Sequence, residues 1–147
     1  MSKSVYSSVE KKEKRAYRKM YKRHRKEMIK LAKEDRDWDW GYLHDLVITK
    51  IRHMYEYYDN SNNVMQTDET RIPICVQLNH VLQLQEELDH LYDDLEPVIM
   101  EYNTDGSYTV SRNKESVAKV QALLEKESEL YKSIYKFIGE HIEKWWD

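Results

Sequence analysis

Glu87, His90 and Asp94 stand at i, i+3 and i+7, a spacing that turns two carboxylates and an imidazole toward one side of a helix. Glu-x-x-His is also half of the ligand set of carboxylate-bridged two-metal bundles. The residues three before His24, His44, His53, His80 and His141 are Tyr21, Gly41, Lys50, Gln77 and Ile138, so there is no second copy. A metal at this helix would rest on Glu87, His90 and Asp94 alone, and a solvated, salt-bridged face competes with that reading.

His44 and Asp45 are adjacent, as in the His-Asp pair of metal-dependent phosphohydrolases. An all-helical nucleotide phosphohydrolase would need them to converge in space with Glu86, Glu87, His90 and Asp94. Other chemistries are excluded outright. Gly41, Gly106 and Gly139 lie too far apart to form a phosphate-cradling loop. Cys75 is the single cysteine, so neither a disulfide nor a Cys-rich zinc site can form within one chain. No catalytic set is complete, and no cofactor is called for.

Charge is the most informative feature. Residues 1–36 carry 14 Lys or Arg against 5 Asp or Glu, a net of +9 that leaves −12 on the rest of a 147-residue chain whose total is −3. Tyr17, Arg18, Tyr21, Arg23 and Arg25 therefore form a candidate nucleotide or nucleic-acid contact, in which cations neutralise phosphates and rings stack on bases. From Ile72 to Ser111 there is no Lys or Arg, while eight acids occur there. Glu86, Glu87, Asp93 and Asp94 are accordingly candidates for a basic protein partner. The chain has 12 Tyr, 4 Trp and 1 Phe, too many rings for one core stripe, so Trp38, Trp40 and Tyr57 join the partner-facing candidates.

These groups must be positioned by helices. Residues 10–36 lack Gly and Pro and are rich in helix formers, with a thin apolar stripe of Tyr17, Met20, His24, Met28 and Leu31. Asp37 or Asp39 suits the cap of a second helix, whose face is Leu43, Leu46, Val47, Ile51, Met54 and Tyr58 and which gives out at Asp59-Asn60. Residues 59–73 read as a loop ended by Pro73. A third helix carries the heptad seam Val81, Leu84, Leu88, Leu91, Leu95 and Val98, with Pro97 in its last turn. Asp105-Gly106 between Ile99–Tyr102 and Ser107–Val110 signals a β-hairpin. A fourth helix from about Asn113 carries a broad stripe from Val117 to Trp145. The expected fold is all-α: a single four-helix bundle-like domain over 1–147, with a long basic first helix over 1–36 and a small hairpin insertion near residues 99–110.

The longest stretch without Asp, Glu, Lys or Arg, Ile72 to Gln85, is too short and polar to span a membrane, and the opening residues lack the apolar core of a signal peptide. A lone thiol and no export signal fit a reducing cytoplasm. A thinly apolar basic helix gains little by packing alone, so a homodimer is expected, each basic helix lying on the acidic helix of its neighbour.

The stretches Tyr17-Arg18-Lys19-Met20-Tyr21-Lys22-Arg23, Trp38-Asp39-Trp40-Gly41-Tyr42-Leu43 and Trp145-Trp146-Asp147 together resemble small all-helical proteins encoded by tailed bacteriophages. The resemblance implies the cytoplasm of a bacterial host. It also implies an accessory protein that binds a host partner, foremost as an inhibitor of a defence protein or nuclease. The alternative from the residues themselves is a sponge for a nucleotide signal.

Overall fold

The computed structural model describes residues 8–34, 39–60, 67–95, 99–111 and 114–145. Among the described residues the fold is all-α and bundle-like, with four helices and one small antiparallel hairpin. The elements are α1 (Ser8–Lys33), α2 (Trp40–Asp59), α3 (Asp68–Asp89), β1 (Ile99–Tyr102), β2 (Tyr108–Ser111) and α4 (Lys114–His141), closed by a 3₁₀ turn, Ile142–Trp145. None of the helices is long and apolar enough to cross a membrane, among the described residues. Trp38, Pro97, Val98, Asn113, Trp146 and Asp147 lie outside the described residues.

The chain divides into two compact units. The first comprises residues 1–82 with 144–147. Here Asp39 caps α2, its side chain accepting from the Gly41 amide at 2.9 Å. The buried stripe of α2 is His44, Ile48, Ile51 and Tyr58, spaced four, three and seven. It is rotated from the expected face, and Leu43 in the first turn is 61% exposed. The rotation follows from α2 serving two neighbours, because its His53 side is given to α1.

The expected loop over residues 59–73 ends earlier than Pro73. Helix α3 starts at Asp68 and contains Pro73 as its sixth residue. The Thr67 carbonyl accepts from the Thr70 and Arg71 amides, and the Arg71 guanidinium bonds Asp68 Oδ1 at 3.1 Å and the Tyr58 carbonyl at 2.6 Å. Proline is tolerated because it deletes only the bond to the Glu69 carbonyl, on an exposed turn close to the helix start. The seam consequently begins a heptad early, with Ile74, Leu78 and Val81 buried. Trp145, 2% exposed, closes this core: its Nε1 donates to Gln77 Oε1 at 2.9 Å and its carbonyl accepts from the Tyr58 hydroxyl at 2.8 Å.

The second unit spans residues 83–143. Helix α3 ends at Asp89, short of the expected Pro97, and continues as tight turns closed by Leu91 N to Leu88 O, Asp93 N to His90 O and Leu95 N to Tyr92 O. Asp89, Asp93 and Asp94 at the negative end of the helix dipole disfavour further winding. Lys126 Nζ pairs with Glu87 at 2.7 Å, Lys119 Nζ donates to the Asp94 carbonyl at 3.2 Å, and the Tyr92 hydroxyl donates to Glu127 at 2.9 Å, tying this segment to α4. Of the broad α4 stripe, Leu130, Ile134 and Ile138 are buried, whereas Val117 and Leu124 are 53% and 52% exposed.

The hairpin forms where expected, in the register Met100↔Val110 and Tyr102↔Tyr108. Gly106 takes φ +82° in its loop, a conformation that side chains with a Cβ avoid, and Asp105 Oδ1 accepts from the Ser107 amide at 2.9 Å.

Candidate functional site: a cleft between the first two helices

Arg23-His24-x-x-Glu27 on α1 and Arg52-His53-x-x-Glu56 on α2 are two copies of one short motif. At three-residue spacing, each His and Glu share a helix face. The helices run antiparallel, so the copies cross: His24 Nε2 donates to Glu56 Oε2 at 2.7 Å, and His53 Nε2 donates to Glu27 Oε2 at 2.7 Å. Arg23 also bonds Glu56, and Arg52 bonds Glu27 at 3.2 Å and Thr49 Oγ1 at 3.1 Å. Between the crossed pairs the two imidazoles stack, centroids 3.9 Å apart and 7° from parallel.

Burial and pairing set the protonation of this cluster. The hydrogen bond from His53 holds the Glu27 carboxyl below its usual range, and the Arg52 charge acts the same way. Burial pushes Glu56 up, but the hydrogen bonds from His24 and Arg23 outweigh it and leave that carboxyl lowered. Both carboxylates are therefore ionised acceptors and the ring nitrogens are the donors. Burial also lowers His53, against the opposing pull of Glu27.

The stacked rings line a cleft of about 800 Å³. Its walls carry Tyr17, Tyr21, Arg25, Met20 and Met28 from α1, Lys50, Met54, Tyr57 and Tyr58 from α2, and Trp145. Tyr17 stacks near Tyr21, 6.4 Å between centroids, and meets the edge of Tyr57 at 6.1 Å. Among the described residues no carboxylate lines the cleft, and Arg25 and Lys50 make no ion pair.

This geometry sorts the candidates. Tyr17, Tyr21 and Arg25 of the nucleotide set line the cleft, and Tyr57, grouped beforehand with partner-facing rings, joins them. Arg23 is committed to Glu56, and Arg18 is exposed away from the lining. Trp40 is 62% exposed, its ring 6.4 Å from that of His44. Glu86, Glu87, Asp93 and Asp94 are exposed in the other unit.

The metal candidates do not assemble. Glu87 is paired to Lys126, and His90 bonds Asp93 through Nδ1 at 2.6 Å, which holds that exposed imidazole above its ordinary pKa and so favours the cation, a poor ligand. Asp94 is exposed and joins neither contact. His44 is buried while the adjacent Asp45 is exposed, because neighbours on a helix point about 100° apart. Among the described residues no three His, Cys, Asp or Glu side chains converge as ligands of a metal ion. Burial pushes the Cys75 thiol up, away from the reactive thiolate.

His24, Glu27, Lys50, His53 and Glu56 were missed in the sequence. Each of these histidines has its glutamate three residues after it rather than before, and the doubled Arg-His-x-x-Glu is the signal the sequence carries. The chain matches no family model, and comparison with curated proteins and solved structures gives no significant match.

Proposed function

We propose that the protein acts by binding, and that the α1–α2 cleft holds a planar anionic ligand of the nucleotide class. The observation that supports this is the lining: four tyrosine rings and two unpaired cations, Arg25 and Lys50, share one cleft free of carboxylates among the described residues. Rings offer stacking to a base and the cations offer charge-assisted hydrogen bonds to phosphate. The volume, about 800 Å³, falls within the range of small-molecule sites. Calorimetry against a panel of cyclic and linear nucleotides tests the reading. A member should bind well below about 1 mM, be recovered unchanged, and lose at least about tenfold in affinity to Arg25→Glu with Lys50→Glu. A panel without heat removes the reading.

The second reading is a phage accessory protein that disables a host protein, working in the host cytoplasm. It is favoured by the second unit, where Met100, Tyr102, Tyr108 and Val110 share one hairpin face and Tyr102 is 80% exposed, in the same unit as the exposed acids of α3. Charge reversal at Glu86, Glu87, Asp93 and Asp94 should weaken capture of a specific basic host protein. Capture insensitive to reversal counts against it.

A further inference from the structure

We infer that the cleft takes its anionic ligand together with one proton, bound by the stacked His24–His53 pair. The inference rests on the cleft being a ligand site and adds the linkage that governs it. Both rings line the cleft, with side-chain exposures of only 12% and 7%, so a ligand seated there lies against the imidazoles.

Burial works against protonation of His53 in the free protein, joined by the Arg52 charge and opposed by Glu27. From α1 the stacked pair faces Arg23, Arg25 and Glu27, and from α2 Lys50, Arg52 and Glu56, with the tyrosines of the lining around them. Glu27 and Glu56 are each shared with an arginine, so the four paired charges cancel and Arg25 and Lys50 remain as net positive charge. An added imidazolium would increase that excess in a half-buried place. An anion in the cleft reverses the balance, since it neutralises Arg25 and Lys50 and places negative charge beside the rings. The stack limits uptake to one proton, because two imidazolium rings 3.9 Å apart would repel each other. Burial of His53, which keeps it neutral in the free protein, leaves that proton to be gained on binding.

The test takes the tightest nucleotide of the panel and measures its binding heat at pH 7 in two buffers of different ionisation enthalpy. The account expects the heats to differ by an uptake approaching one proton, and affinity to rise by up to about tenfold per pH unit on lowering pH from 8 toward 6.5. His24→Gln with His53→Gln keeps a donor toward each glutamate and cannot titrate, so it should bind with equal heats in both buffers. Should that variant not fold, the two-buffer measurement on the native chain decides alone. Binding with equal heats and a flat pH profile overturns the linkage while leaving the cleft a ligand site. A panel without binding overturns both.

Discussion

The imidazoles of His24 and His53 lie face to face at 3.9 Å, each held by a glutamate of the opposite helix. That relationship makes the α1–α2 pair acid-sensitive. His53 is depressed below the ordinary 6.5, so the unfolded chain binds more protons, and its stabilising effect is lost as pH falls from about 6.5 through the folded value. Glu27 and Glu56 are depressed below 4.5, and their contribution persists above that pH and is lost below it. All three act in one direction. Between pH 7 and pH 5 only His53 of the three loses its contribution, so thermal unfolding should show a midpoint lower by about 2–4 °C at pH 5 than at pH 7, with a further fall below about pH 4.5 as the glutamates protonate. An unchanged or higher midpoint at pH 5 would contradict the depression of His53, and no further fall below about pH 4.5 would show that the glutamate pairs do not hold the helices together.

The crossed pairs should also be energetically coupled. Glu27→Gln and His53→Gln are each expected to cost about 1 kcal/mol, and the double variant less than their sum by about 0.5 kcal/mol or more. A double-mutant cycle by urea unfolding measures the difference. Strict additivity would mean the 2.7 Å contact carries no stability.

Much of the architecture was legible because local chemistry specified it: Asp39 as a cap, Asn60 as a stop and Asp105-Gly106 as a hairpin loop each act through their own backbone. The misreadings came where tertiary contacts decided. Pro73 looked like a boundary, yet Arg71 anchors the helix start to the Tyr58 carbonyl and the helix runs through it. The stripe of Tyr17, Met20, His24, Met28 and Leu31 looked too thin to pack in its own chain. It meets α2, because polar His24 and Glu27 find crossed partners there that hydrophobic periodicity does not register. The acidic α3 likewise finds Lys126 on α4.

Pro73→Ala should stabilise the protein by about 1 kcal/mol, since alanine restores an amide donor to the Glu69 carbonyl at a turn already helical, less the entropy that proline removes from the unfolded chain. The midpoint would rise by about 3 °C. A fall would mean that proline positions the start of α3 in a way alanine cannot.

Trp145 is the anchor of the first unit, and its loss should be costly. Trp145→Ala is expected to destabilise by about 3–5 kcal/mol through the cavity it leaves. Tyr58→Phe, which strips the Trp145 carbonyl of its 2.8 Å donor, should cost about 1–3 kcal/mol. Denaturant unfolding ranks the two, and a neutral Trp145→Ala would contradict the burial of the indole.

The central claim is that the α1–α2 cleft is where this protein meets its ligand. Amide and side-chain NMR spectra recorded while the nucleotide panel is titrated into the isotope-labelled chain test it most directly. The account expects at least one member to shift the signals of Tyr17, Tyr21, Arg25, Lys50 and Tyr57 together with both stacked histidines, leaving Glu86, Glu87, Asp93 and Asp94 unmoved. Shifts confined to the acidic helix, or none from any member at about 1 mM, would contradict it.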